Sequence, residues 1–116
     1  DLPHFRHFLS EIGWEIVREE MIKEDGKFYP MMKAVRNKTG KKIMYTEAEA
    51  WFGPLLLEKC HPILKEYLLR ETSIREKILA DLSGARASSA SAKDRLAEVK
   101  EEMELIKSAL GRYESI

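Results

Sequence analysis

The chain has 116 residues, 44% of them apolar, which suffices for one ordinary domain or two small pieces but not for two independent cores. Twenty basic and twenty acidic residues cancel to a formal net charge of zero, so the molecule as a whole lacks the positive field of a dedicated nucleic-acid binder and any such role must be local. The single cysteine, Cys60, excludes an internal disulfide framework and fits a reducing cytoplasm, and no apolar run approaches the ~18 residues of a membrane span.

The chain opens on Asp1 with no basic-then-apolar leader, the start expected of a processed protein or of a piece of something longer. Leu2, Phe5, Phe8, Leu9 and Ile12 recur at helical spacing and predict a short helix with one buried stripe, closed by Gly13. Trp14, Ile16, Val17, Met21 and Ile22, with charges between them, predict a strand from Trp14 to Glu24. Asp25-Gly26 then supplies a two-residue type I′ turn, whose central positions both need positive φ. The apolar run Phe28-Tyr29-Pro30-Met31-Met32-Lys33-Ala34-Val35 returns as the second strand. In this register Glu24 faces Lys27, and Met21 faces Pro30 in a non-hydrogen-bonded pair. The missing N–H of Pro30 therefore points away from the hairpin, and an outer neighbour strand is expected to pair poorly there, through a bulge. A strand apolar on both faces belongs in a sheet covered on both sides, and a two-stranded ribbon buries little by itself. Helix, hairpin and unmet edges are thus expected to be the last third of a larger α/β sheet.

Between Lys33 and Lys42 come Lys33, Arg36, Lys38, Lys41 and Lys42 without an acid. This is either a solvated turn at the sheet edge or a phosphate-contacting patch. Thr46-Glu47-Ala48-Glu49 is a capping box that starts a helix into Ala50-Trp51-Phe52. Gly53-Pro54 must bend or restart that helix, because proline removes a donor and clashes with the preceding turn. The run Trp51-Phe52-Gly53-Pro54-Leu55-Leu56-Leu57 reads as a joint, its apolar side chains packing a helical part onto the α/β part.

From Pro62 to about Ser83 a helix carries Ile63, Leu64, Tyr67, Leu68, Ile74, Ile78, Leu79 and Leu82 as its stripe, with Glu71 and Arg75 interrupting it. Gly84 to Ser91 is small and polar, the composition of a loop tip. Ala92, Leu96, Val99, Met103, Ile106, Leu110 and Tyr113 then alternate steps of four and three, a heptad seam. Two helices of about 33–36 Å joined by so short a loop predict an antiparallel helical hairpin of coiled-coil type. The domains expected are 1–45, the end of the α/β sheet, and 46–116, the helical coiled-coil part.

Constellations that carry chemistry are few. His4 and His7 with Cys60-His61 could be imagined around zinc, but the spacings are not those of a four-ligand structural site, and ordinary surface or half-buried histidines explain them. There is no G-x-G-x-x-G, P-loop, G-x-S-x-G or H-E-x-x-H. The acidic run Glu98, Glu101, Glu102 and Glu104 reads as the solvated face of the last helix.

Four blocks together point to a family: Phe8-Leu9-Ser10-Glu11-Ile12-Gly13-Trp14-Glu15-Ile16-Val17, Glu19-Glu20-Met21-Ile22-Lys23-Glu24-Asp25-Gly26-Lys27-Phe28-Tyr29, Phe52-Gly53-Pro54-Leu55-Leu56-Leu57 and Lys65-Glu66-Tyr67-Leu68. In order and spacing they resemble the C-terminal half of the bacterial tRNA adenine-N1 methyltransferases that modify adenine 22, the TrmK family. The likeness runs from about Leu2 to the end, strongest up to Leu68. It implies that a Rossmann-like, S-adenosylmethionine-binding methyltransferase sheet ends here in a helix and a β-hairpin, followed by a coiled-coil domain that helps hold tRNA in the cytoplasm. The family's methyl-donor loop, acidic ribose contact and catalytic motif lie in the other half, so no catalytic, cofactor-binding or metal residue carries over. Arg36, Lys38, Lys41, Lys42, Arg86, Lys93 and Arg95 are the candidate tRNA contacts, and Pro30 departs from the acidic or apolar residue expected there. Two other classes stay open: a non-catalytic interaction module that dimerises through the sheet edge or the heptad seam, and a small RNA-binding protein.

Overall fold

The computed structural model describes residues 1–83 and 89–114. Helix α1 (Leu2–Glu11) begins where the Asp1 carboxylate accepts the backbone N–H of His4 at 2.9 Å, and it stops at Gly13, whose φ of +77° is left-handed. Strands β1 (Trp14–Glu24) and β2 (Lys27–Arg36) pair antiparallel in a two-stranded sheet. Asp25 and Gly26 sit at φ +52° and +76°, the geometry the turn residues predict. Glu24 faces Lys27 and Met21 faces Pro30, as the turn length requires.

The register of the hairpin slips once, in β1. Ile16 pairs with Ala34 and Arg18 with Lys33, leaving Val17 as the extra residue of a bulge. A bulge re-aims every side chain beyond it. Ile16 faces inward before the bulge, and Glu19 and Met21 face inward after it, so the buried positions are three and then two residues apart. Without the bulge, strict alternation from Ile16 would send Glu19 to solvent. The strand β2 is covered on one face by the described residues rather than on both: Phe28, Pro30, Met32 and Ala34 are half-buried, and Tyr29, Met31 and Val35 are exposed. With Val17 and Ile22 they leave five apolar side chains 38–47% exposed on the sheet.

Helix α2 (Glu47–Phe52) starts with the capping box complete: Thr46 Oγ1 accepts from Glu49 N–H at 3.1 Å, and the Glu49 carboxylate accepts from Thr46 N–H at 2.8 Å. It breaks at Gly53, and α3 (Pro54–Glu58) restarts at once, with proline at the first position, where no intrahelical donor is lost. α2 packs on α1, and α3 on β1, burying Phe52, Leu56 and Leu57.

A buried ion pair organises this packing. Arg6 and Glu19 are each 1% exposed and meet at 3.0 Å. Arg6 Nη1 donates to the Ala50 carbonyl at the end of α2 (2.7 Å), while Glu19 Oε1 accepts the Leu55 N–H of α3 (2.8 Å). One pair therefore satisfies backbone groups on both sides of the break. The Gly53 backbone lies against the same carboxylate: a Cβ there would stand 2.8 and 2.9 Å from its oxygens, and the local φ is +101°. Burial holds the Arg6 guanidinium below its ordinary pKa, with Glu19 opposing that shift. On the outer edge of β1, Lys59 Nζ donates to the Glu19 carbonyl at 2.8 Å and to Glu20 Oε1 at 3.0 Å.

The chain divides into two compact units, Asp1–Lys65 and Glu66–Ile116. Helix α4 (Pro62–Leu82) begins in the first and ends in the second, which also holds α5 (Ala90–Glu114). In α5 the heptad positions Val99, Met103 and Ile106 are buried together with Ala109, and Leu96, Leu110 and Tyr113 are half-buried. The stripe of α4 differs from expectation. Ile74 is 43% exposed, whereas Glu71 and Arg75 are half-buried in line with Leu68, Ile78, Leu79 and Leu82. Their charges are paired there: Arg75 Nη1 donates to Glu71 Oε1 at 2.9 Å and Nε to Glu102 Oε1 of α5 at 3.1 Å. The two apparent interruptions are the polar link between the helices.

Candidate nucleic-acid interface

The loop from Asn37 to Tyr45 is fixed from several sides. The Asn37 N–H donates to the Gly13 carbonyl at 2.8 Å, and its side-chain oxygen accepts from the backbone and hydroxyl of Thr39 at 2.9 and 2.6 Å, an Asx turn. Its side-chain amide donates to the Lys41 carbonyl at 3.2 Å. Further on, the Ser10 hydroxyl of α1 donates to the Ile43 carbonyl, and the Tyr45 hydroxyl is hydrogen-bonded to the Ile16 backbone. Burial raises the Tyr45 pKa above its ordinary value, with the Ile16 bond opposing. Ile43 and Tyr45 face inward and Met44 faces out.

Arg36, Lys38, Lys41 and Lys42 are all exposed on this loop or at its start, and none forms an ion pair among the described residues. The four share this one short stretch of chain. Sequence reasoning did not single out Arg18, which the bulge places directly opposite Lys33, so two cations face each other across the strands without an ion pair among the described residues. Like charges in that position repel. The Ile16-to-Met21 spacing, wrong for strict alternation, was the signal that could have revealed it. Lys93 and Arg95 lie in the first two turns of α5, in the second unit; Arg95 is paired with Glu98 at 3.0 Å, and Lys93 is exposed. Arg86 lies outside the described residues.

Two of the three histidines are otherwise engaged. His7 Nε2 lies 3.2 Å from Glu47 Oε1. His61 Nδ1 accepts the Ile63 N–H at 3.1 Å, which leaves the ring proton on Nε2, 3.1 Å from Glu20 Oε1. The Lys59 hydrogen bond, with smaller help from His61, holds the Glu20 carboxyl below its ordinary range. Among the described residues no three His, Cys, Asp or Glu side chains converge as a metal site, and no helix is long and apolar enough to cross a membrane.

A helix, an antiparallel two-stranded hairpin, a fixed basic loop and long helices after it place the chain in the α/β class with a helical continuation. The chain is similar over 94% of its length to a solved Listeria monocytogenes serotype 4b protein of uncharacterized function, at 24% identity and a TM-score of 0.86, covering 46% of that protein. It is similar over 92% of its length to the B. subtilis M1A22 tRNA methyltransferase TrmK, at 24% identity and a TM-score of 0.75, again covering 46%. Sp1610 of Streptococcus pneumoniae, solved in complex with S-adenosyl-L-methionine, matches 94% of the chain at 21% identity and a TM-score of 0.66, with 42% of that protein covered. No curated protein matches. Residues 2–108 match the family tRNA (adenine(22)-N(1))-methyltransferase, TrmK, and the chain belongs to that family. It spans less than half the length of these solved relatives.

Proposed function

We propose that this chain is the C-terminal part of an S-adenosylmethionine-dependent tRNA (adenine-N1)-methyltransferase. In this reading 1–45 completes the Rossmann-like sheet, and 46–116 forms an antiparallel coiled-coil hairpin that helps hold the tRNA. The observation that carries the reading is the family match over residues 2–108. The uncovered sheet face with Val17, Ile22, Tyr29, Met31 and Val35, and the exposed Phe5 and Phe8 of α1, support it, because such apolar surface suits packing against further strands and helices.

The residues present do not fit the methyl donor itself. Neither strand leads through a glycine-rich turn into a helix N-terminus: β1 ends in a hairpin turn and β2 in the basic loop. No catalytic step is therefore assigned to this chain. Its contribution is to bind and orient tRNA through cations in a loop already held in shape.

The test is charge reversal of Lys41, Lys42, Arg86 and Arg95 in the full protein. Affinity for a tRNA transcript should fall, and the slope of log affinity against log salt should flatten, because fewer counterions are released. An unchanged slope would reduce the patch to a solvated surface. A concentration-dependent dimer with unaltered tRNA binding in these variants would favour the interaction module.

A further inference from the structure

Met44 stands apart from the other large apolar residues among those described. It is 82% exposed, while the other exposed large apolar side chains among the described residues lie at 50% or below. Its neighbours Ile43 and Tyr45 turn inward, tied to α1 through Ser10 and to β1 through the Ile16 backbone. The methionine is therefore held outward by a loop whose two flanks are anchored. From Lys33 to Thr46 the chain has five cations and no acid, and Lys41 and Lys42 stand three and two positions before the methionine.

We propose that Met44 is the base-contacting side chain of this loop, packing against an unpaired nucleotide of an RNA whose phosphates the flanking cations hold. The inference rests on the tRNA reading above and adds which side chain meets a base. Charge complementarity selects the occupant: cations without acids favour a polyanion, and what lies between successive phosphates for an apolar side chain to touch is a base or its ribose. A thioether is soft and polarisable and packs well on an aromatic face. The nucleotide must be unpaired, because bases inside a duplex have their faces covered by stacking. Anchoring the loop in advance lowers the ordering cost of that contact.

The experiment uses the full chain with methyl-13C methionine and three probes: a tRNA transcript, a fully paired RNA duplex and heparin. The Met44 methyl resonance, assigned by its absence in Met44→Leu, should move upfield with the transcript and stay in place with duplex or heparin. Met44→Ala should weaken transcript binding by about three- to tenfold at every salt concentration, as expected for one lost apolar contact, leaving the salt slope unchanged, and Met44→Leu should restore most of it. Lys41→Gln with Lys42→Gln should instead lower the slope. If the lysine variants lose affinity while Met44→Ala does not, Met44 touches no base and the proposal fails with the tRNA reading intact. If neither set weakens binding in the full protein, or the unaltered full protein does not bind the transcript, both fail. A melting temperature lowered by Met44→Ala in the full protein would assign Met44 to packing and overturn the proposal.

Discussion

Gly53 is the residue on which the first unit turns. Its φ of +101° and its contact with the Glu19 carboxylate leave no room for a side chain. Gly53→Ala should cost about 2–3 kcal/mol, combining backbone strain with displacement of the carboxylate from Leu55 N–H. Urea denaturation of the two proteins measures it, and a loss below about 0.5 kcal/mol would show that the joint relaxes freely. The glycine was legible in the sequence as a break before proline. Its partner was not, because Glu19 reaches the interior only through the bulge at Val17, and Arg6 meets it from a helix 13 positions away. Among the candidate tRNA contacts, residue type was legible while exposure and pairing were not: Arg95 is held by Glu98, and nothing in the sequence marked Met44 as the most exposed large apolar side chain among the described residues.

At the scale of elements, two links are open to measurement. Glu20 joins β1 to the α3–α4 connection through Lys59 and His61. Its folded pKa is depressed, so its stabilisation is present above the unfolded value and lost as pH falls through the folded one. Acid titration should show the unaltered chain losing a part of its stability below the ordinary glutamate range that Glu20→Gln does not lose. Glu20 and Lys59 are both exposed, so added salt should shrink the difference. The second link is Arg75 with Glu102, each side chain 15% exposed. A double-mutant cycle with Arg75→Ala and Glu102→Ala should return a coupling of about 1 kcal/mol, larger than at a solvated surface because the pair is half-buried. Additivity within about 0.3 kcal/mol would mean that α4 and α5 associate through apolar contacts alone.

For the whole molecule, the informative fact is an uneven surface. One sheet face and one side of α1 carry exposed apolar residues, while the basic loop is anchored and its cations are exposed. Under the proposed reading, that pattern is what a part whose partner strands supply the methyl-donor site would show. The chain by itself should give no heat of binding with S-adenosylmethionine in titration calorimetry, whereas the full protein should. Measurable heat with the isolated chain would require a donor site within these residues.

The sequence by itself determined the elements. Helical and alternating periodicity, the Asp25-Gly26 turn, the capping box at Thr46 and the proline after Gly53 are local chemistry, decided by residues a few positions apart. It also determined the kinship, since order and spacing of several blocks survive without coordinates. Tertiary structure alone decided which charges go inside. Glu19 turns inward because a bulge shifts the strand by one residue, and Glu71 and Arg75 replace Ile74 on the facing side of α4 because Glu102 is there to pair with them. A buried charge is tolerated only where its partners meet it, and those partners come from distant parts of the chain.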